Sequence, residues 1–322
     1  MSPEIRARQI TRRMALLALL ALLAAAAYLL LNARGSWDFL LFFRGRKLAA
    51  LAVVAVAIAL STVVFQTVTQ NRILTPAIIG FDALYVLIQT GLVFGLGAGR
   101  VSALDARLVF GLELGMMVLL ALLLFKWMFG PAARNLHLLM LVGIVLGTLF
   151  RSIAGFLQRI IDPDSFTVLQ DRLFASFNAV DPGLLTLSAL IVAGLALILW
   201  RLVPELDVLA LGREAAVGLG LPQERLVLGL LVIVTLLVAL SAALVGPVTF
   251  LGLLVANLAY LLLPTGRHAV LLPAAALIAL ITLIGGQALL ERVLHYDTAL
   301  AVVVEFAGGL VFILLVIRGV AR

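Results

Sequence analysis

The chain of 322 residues contains no cysteine, only three histidines and few charged residues. Without cysteine it has no disulfide, no thiol nucleophile and no cysteine-ligated metal. Charged residues make up 12% of the chain, about half of their share in an ordinary soluble domain. A water-soluble globule of this length could not cover its surface with so few polar groups, so the composition excludes one.

Long apolar runs take the place of the missing charge. Hydrophobic residues make up 64% of the chain, against about 45–50% in soluble domains. Several runs reach the roughly 20 residues that a helix needs to cross a hydrocarbon core, and none alternates as a barrel strand does. Because lipid offers no partners to peptide groups, helices are the remaining spanning form. The sequence predicts an all-α polytopic membrane protein.

We predict ten spans in one transmembrane domain that covers residues 1–322. They are residues 14–32, 48–68, 77–97, 108–129, 136–156, 183–203, 226–245, 248–263, 270–290 and 298–317. The polar stretch 158–182 is predicted to be an extracytoplasmic connection, and residues 204–222 a cytoplasmic segment.

The distribution of cations predicts the orientation. Four arginines precede the first span, which ends without a convincing signal-peptide cleavage site. We therefore expect a retained first helix, with the N-terminus and, after ten spans, the C-terminus in the cytoplasm. The net charge of +7 belongs to short loops, so no nucleic-acid partner is predicted. Arg44, Arg46 and Lys47 form a cluster on the outer side, where cations are disfavoured, and such a cluster needs a function.

The second span is followed by a polar stretch, residues 66–80, that contains Pro76. Proline blocks helix continuation and pushes the preceding Thr75 toward an extended conformation. The pattern predicts broken backbone that lines a cavity or a gate. An ordinary cytoplasmic loop is the alternative.

The segment 204–222 is too short for its helices to span the membrane and too apolar to be simply exposed to water. The spacing of its residues predicts two short amphipathic helices, separated by Gly212 and closed by Gly220 and Pro222. We expect them to dock on a cytoplasmic protein; the alternative is that they lie on lipid headgroups.

Glycine pairs at four-residue spacing predict close helix–helix packing. The pairs are Gly91/Gly95, Gly111/Gly115 and Gly143/Gly147.

Three acids, Asp82, Glu113 and Glu305, fall within or near the spans. Such acids suggest an ion relay, but no suitable chain of partners accompanies them. Helix-end positions or hydrogen-bonded packing are therefore the favoured interpretations.

No motif predicts chemistry in this chain. His137, His268 and His295 fall on predicted loops without metal-site spacing, and are expected at the surface. A phosphate-binding loop and a nucleophile elbow are both absent from the sequence. We expect no catalytic residue, no metal site and no cofactor bound by this chain.

Four segments, in order, resemble the iron–siderophore and cobalamin (FecCD-type) permease family, the membrane subunits of type II ABC importers. They are Arg44-Gly-Arg-Lys-Leu-Ala-Ala at the second helix, Gln66 through Asn71 with Pro76 and Gly80, Leu211-Gly-Arg-Glu-Ala-Ala-Val-Gly-Leu-Gly220, and Gly246-Pro-Val-Thr-Phe-Leu-Gly-Leu-Leu-Val255. Ala256-Asn257 stands where the family often has Pro-His, and Arg72 replaces a usual proline. These departures favour the ferric siderophore branch.

The resemblance implies a type II ABC importer permease fold and several partners. These are a cytoplasmic ABC ATPase dimer that holds ATP and Mg, a second permease that is identical or related, a periplasmic or lipid-anchored binding protein, and a ferric siderophore. The location would be the bacterial cytoplasmic membrane. Haem or cobalamin remains an alternative cargo, and an ion-coupled secondary transporter an alternative mechanism.

The resemblance also implies roles for individual residues. Docking of the binding protein falls on Arg44, Arg46, Lys47 and Arg292. ATPase coupling falls on Asp207, Leu211, Gly212, Arg213, Ala215, Leu219 and Gly220. The pathway or gate falls on Gln66, Asn71, Pro76 and Gly80.

Overall fold

The computed structural model describes residues 3–31, 37–128, 136–178, 180–294 and 299–317. Within these residues the chain forms fourteen α-helices and no strand. The helices are α1 (Pro3–Leu30), α2 (Trp37–Thr69), α3 (Phe81–Leu96), α4 (Ala98–Ala103), α5 (Ala106–Met128), α6 (Leu136–Gln158), α7 (Pro163–Leu173), α8 (Pro182–Arg201), α9 (Val203–Leu209), α10 (Arg213–Gly218), α11 (Gln223–Val245), α12 (Leu251–Leu262), α13 (His268–Arg292) and α14 (Leu300–Ile317). The predicted all-α class is confirmed.

Ten of these helices correspond to the ten predicted spans. In the described residues, seven contain a stretch long and apolar enough to cross a membrane, within α1, α2, α5, α6, α8, α11 and α13. Shorter apolar helices occupy the other three positions, in α3, α12 and α14. One boundary was wrong: α2 begins at Trp37, well before residue 48, so Arg44, Arg46 and Lys47 lie on a helix rather than in a loop.

Local capping explains where one helix starts within the predicted connection, residues 158–182, and where the next starts at its end. Asp162 accepts a hydrogen bond from the backbone N–H of Ser165 and is followed by proline, which suits the first helical position. Asp181 caps α8 in the same way. Backbone N–H donation from Ser165 keeps the pKa of the exposed Asp162 carboxyl below its usual value. The connection therefore contains a capped helix, α7.

Two helices are too short to cross the bilayer alone. At 1.5 Å per residue, α3 is roughly 24 Å long and α12 roughly 18 Å, against a core of about 30 Å. Each follows non-helical backbone. Residues 70–75 and a single 3-10 turn, Pro76–Ile79, precede α3, and residues 246–250 precede α12. The predicted break after the second span is confirmed: Thr75 is extended and Gly80 has φ +100°.

Helix α2 is the centre of the bundle. From Val54 to Thr69 almost every side chain on it is buried, and its neighbours include α8, α11, α12 and α13. A helix that is apolar on all sides belongs in such a position. The outer helices α1, α5 and α6 leave most of their side chains exposed, as expected for surfaces that meet lipid or another protein.

The glycine pairs behave differently from the prediction. A Cβ at Gly91, Gly95, Gly111 or Gly115 would meet no atom within 4 Å, so these two pairs mediate no close approach in the described chain. Gly147 does approach another segment closely, because a Cβ on Gly80 would lie 2.8 Å from the Cα of Gly147. The close contact is therefore between a helix and a turn rather than between two helices, which spacing within one helix could not reveal.

The contact between Gly80 and Gly147 predicts that alanine destabilises the protein at Gly80 but not at Gly91. A non-glycine residue in the left-handed region costs about 1–2 kcal/mol, before the clash with Gly147 is counted. We expect Gly80→Ala to lower the thermal unfolding temperature of the purified protein by several degrees. Gly91→Ala, on the adjoining helix and without close neighbours, is the control and should unfold at or slightly above the wild-type temperature. Equal temperatures for the two variants would contradict the packing described here.

Candidate functional site

The segment between α8 and α11 folds as predicted into two short helices. Helix α9 is followed by Gly212, whose φ of +102° and ψ of 167° suit glycine alone, and then by α10. Gly220, with φ +84°, and Pro222 end the segment. The positive φ angles explain why glycines stand at these two positions.

One side of this segment packs against the bundle, and the other exposes apolar side chains. Leu206, Leu209 and Ala216 are almost fully buried. Leu211, Val217 and Leu219 are 67%, 56% and 65% exposed. Grouped apolar exposure outside a membrane span marks an interaction surface.

The predicted coupling residues divide between these two sides. Leu211, Arg213, Leu219 and Gly220 are exposed, while Gly212 and Ala215 are half-buried. Asp207 contacts the interior. Its Oδ1 accepts a hydrogen bond of 2.7 Å from the backbone N–H of His268, and lies 2.7 Å from the Nδ1 atom of the same residue.

His268 is buried, so its predicted surface position was wrong. It is 2% exposed at the start of α13, and its Nε2 lies 2.7 Å from Oγ1 of Thr67 on α2. A loop histidine gives no sign of burial in the sequence, because the two groups that enclose it are 201 and 61 residues away. His295 lies outside the described residues, and the side chain of His137 is not described.

The order Asp207, His268, Thr67 matches that of a catalytic triad, but its setting does not. The hydroxyl-bearing residue is 6% exposed and also bonds the carbonyl oxygen of Val63. Its hydroxyl group is already engaged by the carbonyl oxygen of Val63 and by Nε2 of His268. The three groups therefore tie α9, α13 and α2 together.

The predicted gate residues lie around more than one cavity. Gln66 donates to the carbonyl oxygen of Arg72, and the backbone N–H of Ile73 donates to Asn71 Oδ1, so both amides stabilise the non-helical backbone. Gln66 also lines a cavity of about 420 Å³, shared with Asp207, Leu211 and His268. Its Oε1 has no hydrogen-bond partner among the residues that the structure describes. Pathway and coupling predictions thus meet at one polar cavity.

Pro76 and Gly80 lie apart from that cavity. Pro76 lines a smaller one, of about 30 Å³, beside Asp82 and Thr249. Thr249 Oγ1 donates to Asp82 Oδ2 at 2.6 Å, which joins the starts of the two short helices α3 and α12.

The predicted docking cations lie near the end of α1, on the N-terminal part of α2 and at the end of α13. Nη1 of Arg44 and Nη2 of Arg292 both donate to the carbonyl oxygens of Tyr28 and Leu31, at 2.9–3.3 Å. These bonds give hydrogen-bond donors to the last carbonyl groups of α1, at the end of the helix where the helix dipole favours cations. Arg46 lies 4.5 Å from the ring centroid of Phe42.

Lys47 forms a buried ion pair that the sequence did not indicate. Its Nζ lies 2.7 Å from Oε1 of Glu291, and the two side chains are 6% and 17% exposed. The same carboxylate oxygen accepts hydrogen bonds from Tyr28 and Gln287. Adjacent opposite charges at Glu291 and Arg292, near the end of an apolar run, were the one available signal.

Two of the three acids are bonded as the sequence favoured. Glu113 is buried and accepts a hydrogen bond from Gln89, and Asp82 lies at a helix start. Glu305 is exposed on α14 and interacts electrostatically with Asp82. Arg151, seven residues before the end of α6, also interacts with Asp82, although not within ion-pair distance. Asp82, Arg151 and Glu305 thus form a loose charged group that sequence spacing did not reveal.

Comparison with known proteins agrees with this architecture. The chain is 44% identical to the petrobactin import system permease protein YclO of Bacillus subtilis, over 95% of this chain and 97% of the relative. It is 35% identical to the petrobactin import system permease protein FatC of Bacillus anthracis, over 84% and 77%. The vitamin B12 import system permease protein BtuC of Klebsiella pneumoniae is 27% identical, over 91% and 86%.

The fold also has a solved counterpart. A transporter described as of the metal-chelate ABC type, in an inward-facing conformation, superimposes with a TM-score of 0.81 at 21% identity, over 96% of this chain and 99% of the other. Residues 14–318 match the model of the FecCD transport family. With this match over nearly the whole chain, the protein belongs to the FecCD transport family of ABC importer permeases.

Proposed function

We propose that this chain is the membrane permease subunit of an ABC importer that carries a ferric siderophore across the bacterial cytoplasmic membrane. The observation that carries the proposal is the segment 204–222, with apolar side chains exposed outside the spans. The chain has no nucleotide-binding loop of its own. A separate cytoplasmic ATPase dimer would hold ATP and Mg and grip this segment, and the permease itself would bind no cofactor.

The relatives favour a siderophore over cobalamin as the cargo. Those at 44% and 35% identity are named for petrobactin, a ferric siderophore, whereas the cobalamin permeases reach 27–29%. We infer a siderophore of this class rather than cobalamin. A periplasmic or lipid-anchored binding protein would deliver it.

Orientation follows from the same assignment. If the segment 204–222 meets a cytoplasmic ATPase, both termini lie in the cytoplasm. Six spans precede the segment and four follow it, and an even number of crossings returns the chain to the same side. The cations at Arg44, Arg46, Lys47 and Arg292 then face outward, where the binding protein docks.

A second permease, identical or related, would cover the exposed faces of α6 and α14. Arg151 lies seven residues before the end of α6, and Glu305 five residues after the start of α14, so both are roughly 10 Å or less below the outer ends of their helices. Both are exposed in the single chain. Since charges are costly in lipid, these faces are better placed beside a water-filled path than against acyl chains.

Gln66, Asn71, Pro76 and Gly80 would shape the inner part of that path. Their amides and turns stabilise backbone that is not helical, which a membrane protein tolerates beside a cavity.

The docking surface is best tested at Arg46. Arg44 and Lys47 also hold α1 and Glu291, so reversing their charge would disturb packing as well. We expect Arg46→Glu to weaken binding of the loaded binding protein about tenfold, because a surface attraction becomes a repulsion. Added salt should weaken wild-type binding, since exposed charges are screened.

Affinity can be measured with the permease in nanodiscs and the binding protein loaded with ferric petrobactin. Arg100→Glu, on α4 outside the cluster, is the matched control and should bind as wild type does. Equal affinity of both variants and the wild type would remove Arg46 from the docking surface.

The ATPase contact is best tested at the exposed leucines. We expect Leu211→Ala combined with Leu219→Ala to abolish co-purification of the ATPase, because the variant loses two apolar anchors while the buried face of the segment is kept. Uptake should fall with it. Ile5→Ala, at an apolar residue that is 51% exposed before the first apolar span, is the control.

Co-purification and uptake are measured on the same preparations. Full retention of the ATPase by the double variant would refute an ATPase contact through this segment.

A further inference from the structure

Helices α2 and α13 pack against each other and are joined near both ends. Near the inner end, Thr67 of α2 bonds His268 of α13. Near the outer end, Lys47 of α2 pairs with Glu291 of α13. Lys47 and Thr67 are 20 residues apart, or ~30 Å along the helix, which matches the thickness of the hydrocarbon core.

The inner connection reaches the coupling segment directly. Asp207 of α9 bonds both the backbone N–H and the ring of His268, and the opposite ring nitrogen bonds Thr67. A second bond runs parallel to it, from Gln70 Nε2 to the carbonyl oxygen of Leu209. The coupling segment is therefore bonded to the first turn of α13 and to Gln70, the residue directly after α2, and it reaches Thr67 through His268.

The outer connection reaches the docking cations. Glu291 holds Lys47 and Tyr28, and the neighbouring Arg292 shares carbonyl oxygens of α1 with Arg44. The two helices that carry the inner bonds thus also carry all four of the cations assigned to docking.

We propose that α2 and α13, joined by Thr67–His268 at the inner end and Lys47–Glu291 at the outer end, act as one rigid strut that transmits movement between the ATPase contact and the docking surface. This rests on the proposed function. His268 and Thr67 are positioning residues in this strut. When Asp207 moves, its bond to His268 displaces α13, and the bond from His268 to Thr67 displaces α2.

The surroundings of the inner bonds allow such movement. Thr67 and His268 are 6% and 2% exposed, and both line the same cavity as Asp207. The cavity of about 420 Å³ beside them leaves the coupling segment room to shift without overpacking. The coupling segment is hydrogen-bonded toward α2 and α13 on one side and borders the cavity on the other. We therefore expect it to move together with these two helices.

Threonine variants at the end of α2 test the strut. Thr67→Val removes the hydroxyl that bonds His268, and Thr67→Ser keeps it. Thr69→Val is the matched control, since Thr69 is also 6% exposed and bonds a carbonyl oxygen four residues back, but makes no bond to His268. All three variants should retain the ATPase during purification.

The readout is movement at the outer end. Because the chain has no cysteine, Val293→Cys places a single fluorophore at an exposed position just after α13. In nanodiscs with the ATPase, we expect vanadate-trapped nucleotide to change its fluorescence in the wild-type background, in Thr67→Ser and in Thr69→Val. In Thr67→Val the change should be lost. Stimulation of ATP hydrolysis by binding protein loaded with ferric petrobactin should fall about fivefold in that variant, the factor typical of one hydrogen bond.

The outcomes separate the two proposals. If the wild-type background responds and Thr67→Val responds equally, the strut is wrong and the importer assignment stands. A wild-type complex that assembles and transports while its label stays silent also overturns the strut. If the chain recruits no ATPase at all, the importer assignment fails and the strut fails with it.

Discussion

A bilayer offers no hydrogen-bond partners to peptide groups, and this constraint governs the places where the chain leaves a helix within the bundle. The backbone after α2 is stabilised by side-chain amides. Gln66 and Asn257 both donate to the carbonyl oxygen of Arg72, and Gln70 donates to that of Leu209. The amide bonds to Arg72 stabilise the backbone ahead of the short helix α3, and the bond from Thr249 to Asp82 joins the start of α12 to that of α3. The resulting breaks create polar cavities in an otherwise apolar bundle.

The same constraint explains the positions of the cations. The last carbonyl groups of a helix have no partner within it. Arg44 and Arg292 satisfy them for α1 at one membrane face, and Arg13 bonds the carbonyl oxygen of Leu262 in α12 at the other. A cation that caps a helix keeps its charge and remains able to attract an acidic partner. The cluster that stabilises the end of α1 can therefore also serve the proposed docking surface.

Sequence patterns predicted those features that depend on residues close together in the chain. The ten helices follow from the lengths of apolar runs, and the two-helix segment follows from Gly212, Gly220 and Pro222. The chain leaves the helix after Thr69, within the polar stretch that leads to Pro76. Patterns within one helix failed where the partner was remote: Gly80 packs on Gly147, while Gly91 and Gly111 pack closely on nothing described. The burial of His268 was missed for the same reason.

The sequence by itself determined that the chain spans a membrane as helices, where it breaks them, and which permease family it resembles, because composition, local turn chemistry and short motifs act over a few residues. The tertiary structure alone decided which distant groups meet: Lys47 with Glu291, Thr67 with His268, and His268 with Asp207. Each of these contacts joins residues tens to hundreds of positions apart. Such pairs form only when the helices pack, and no spacing within the chain records that event.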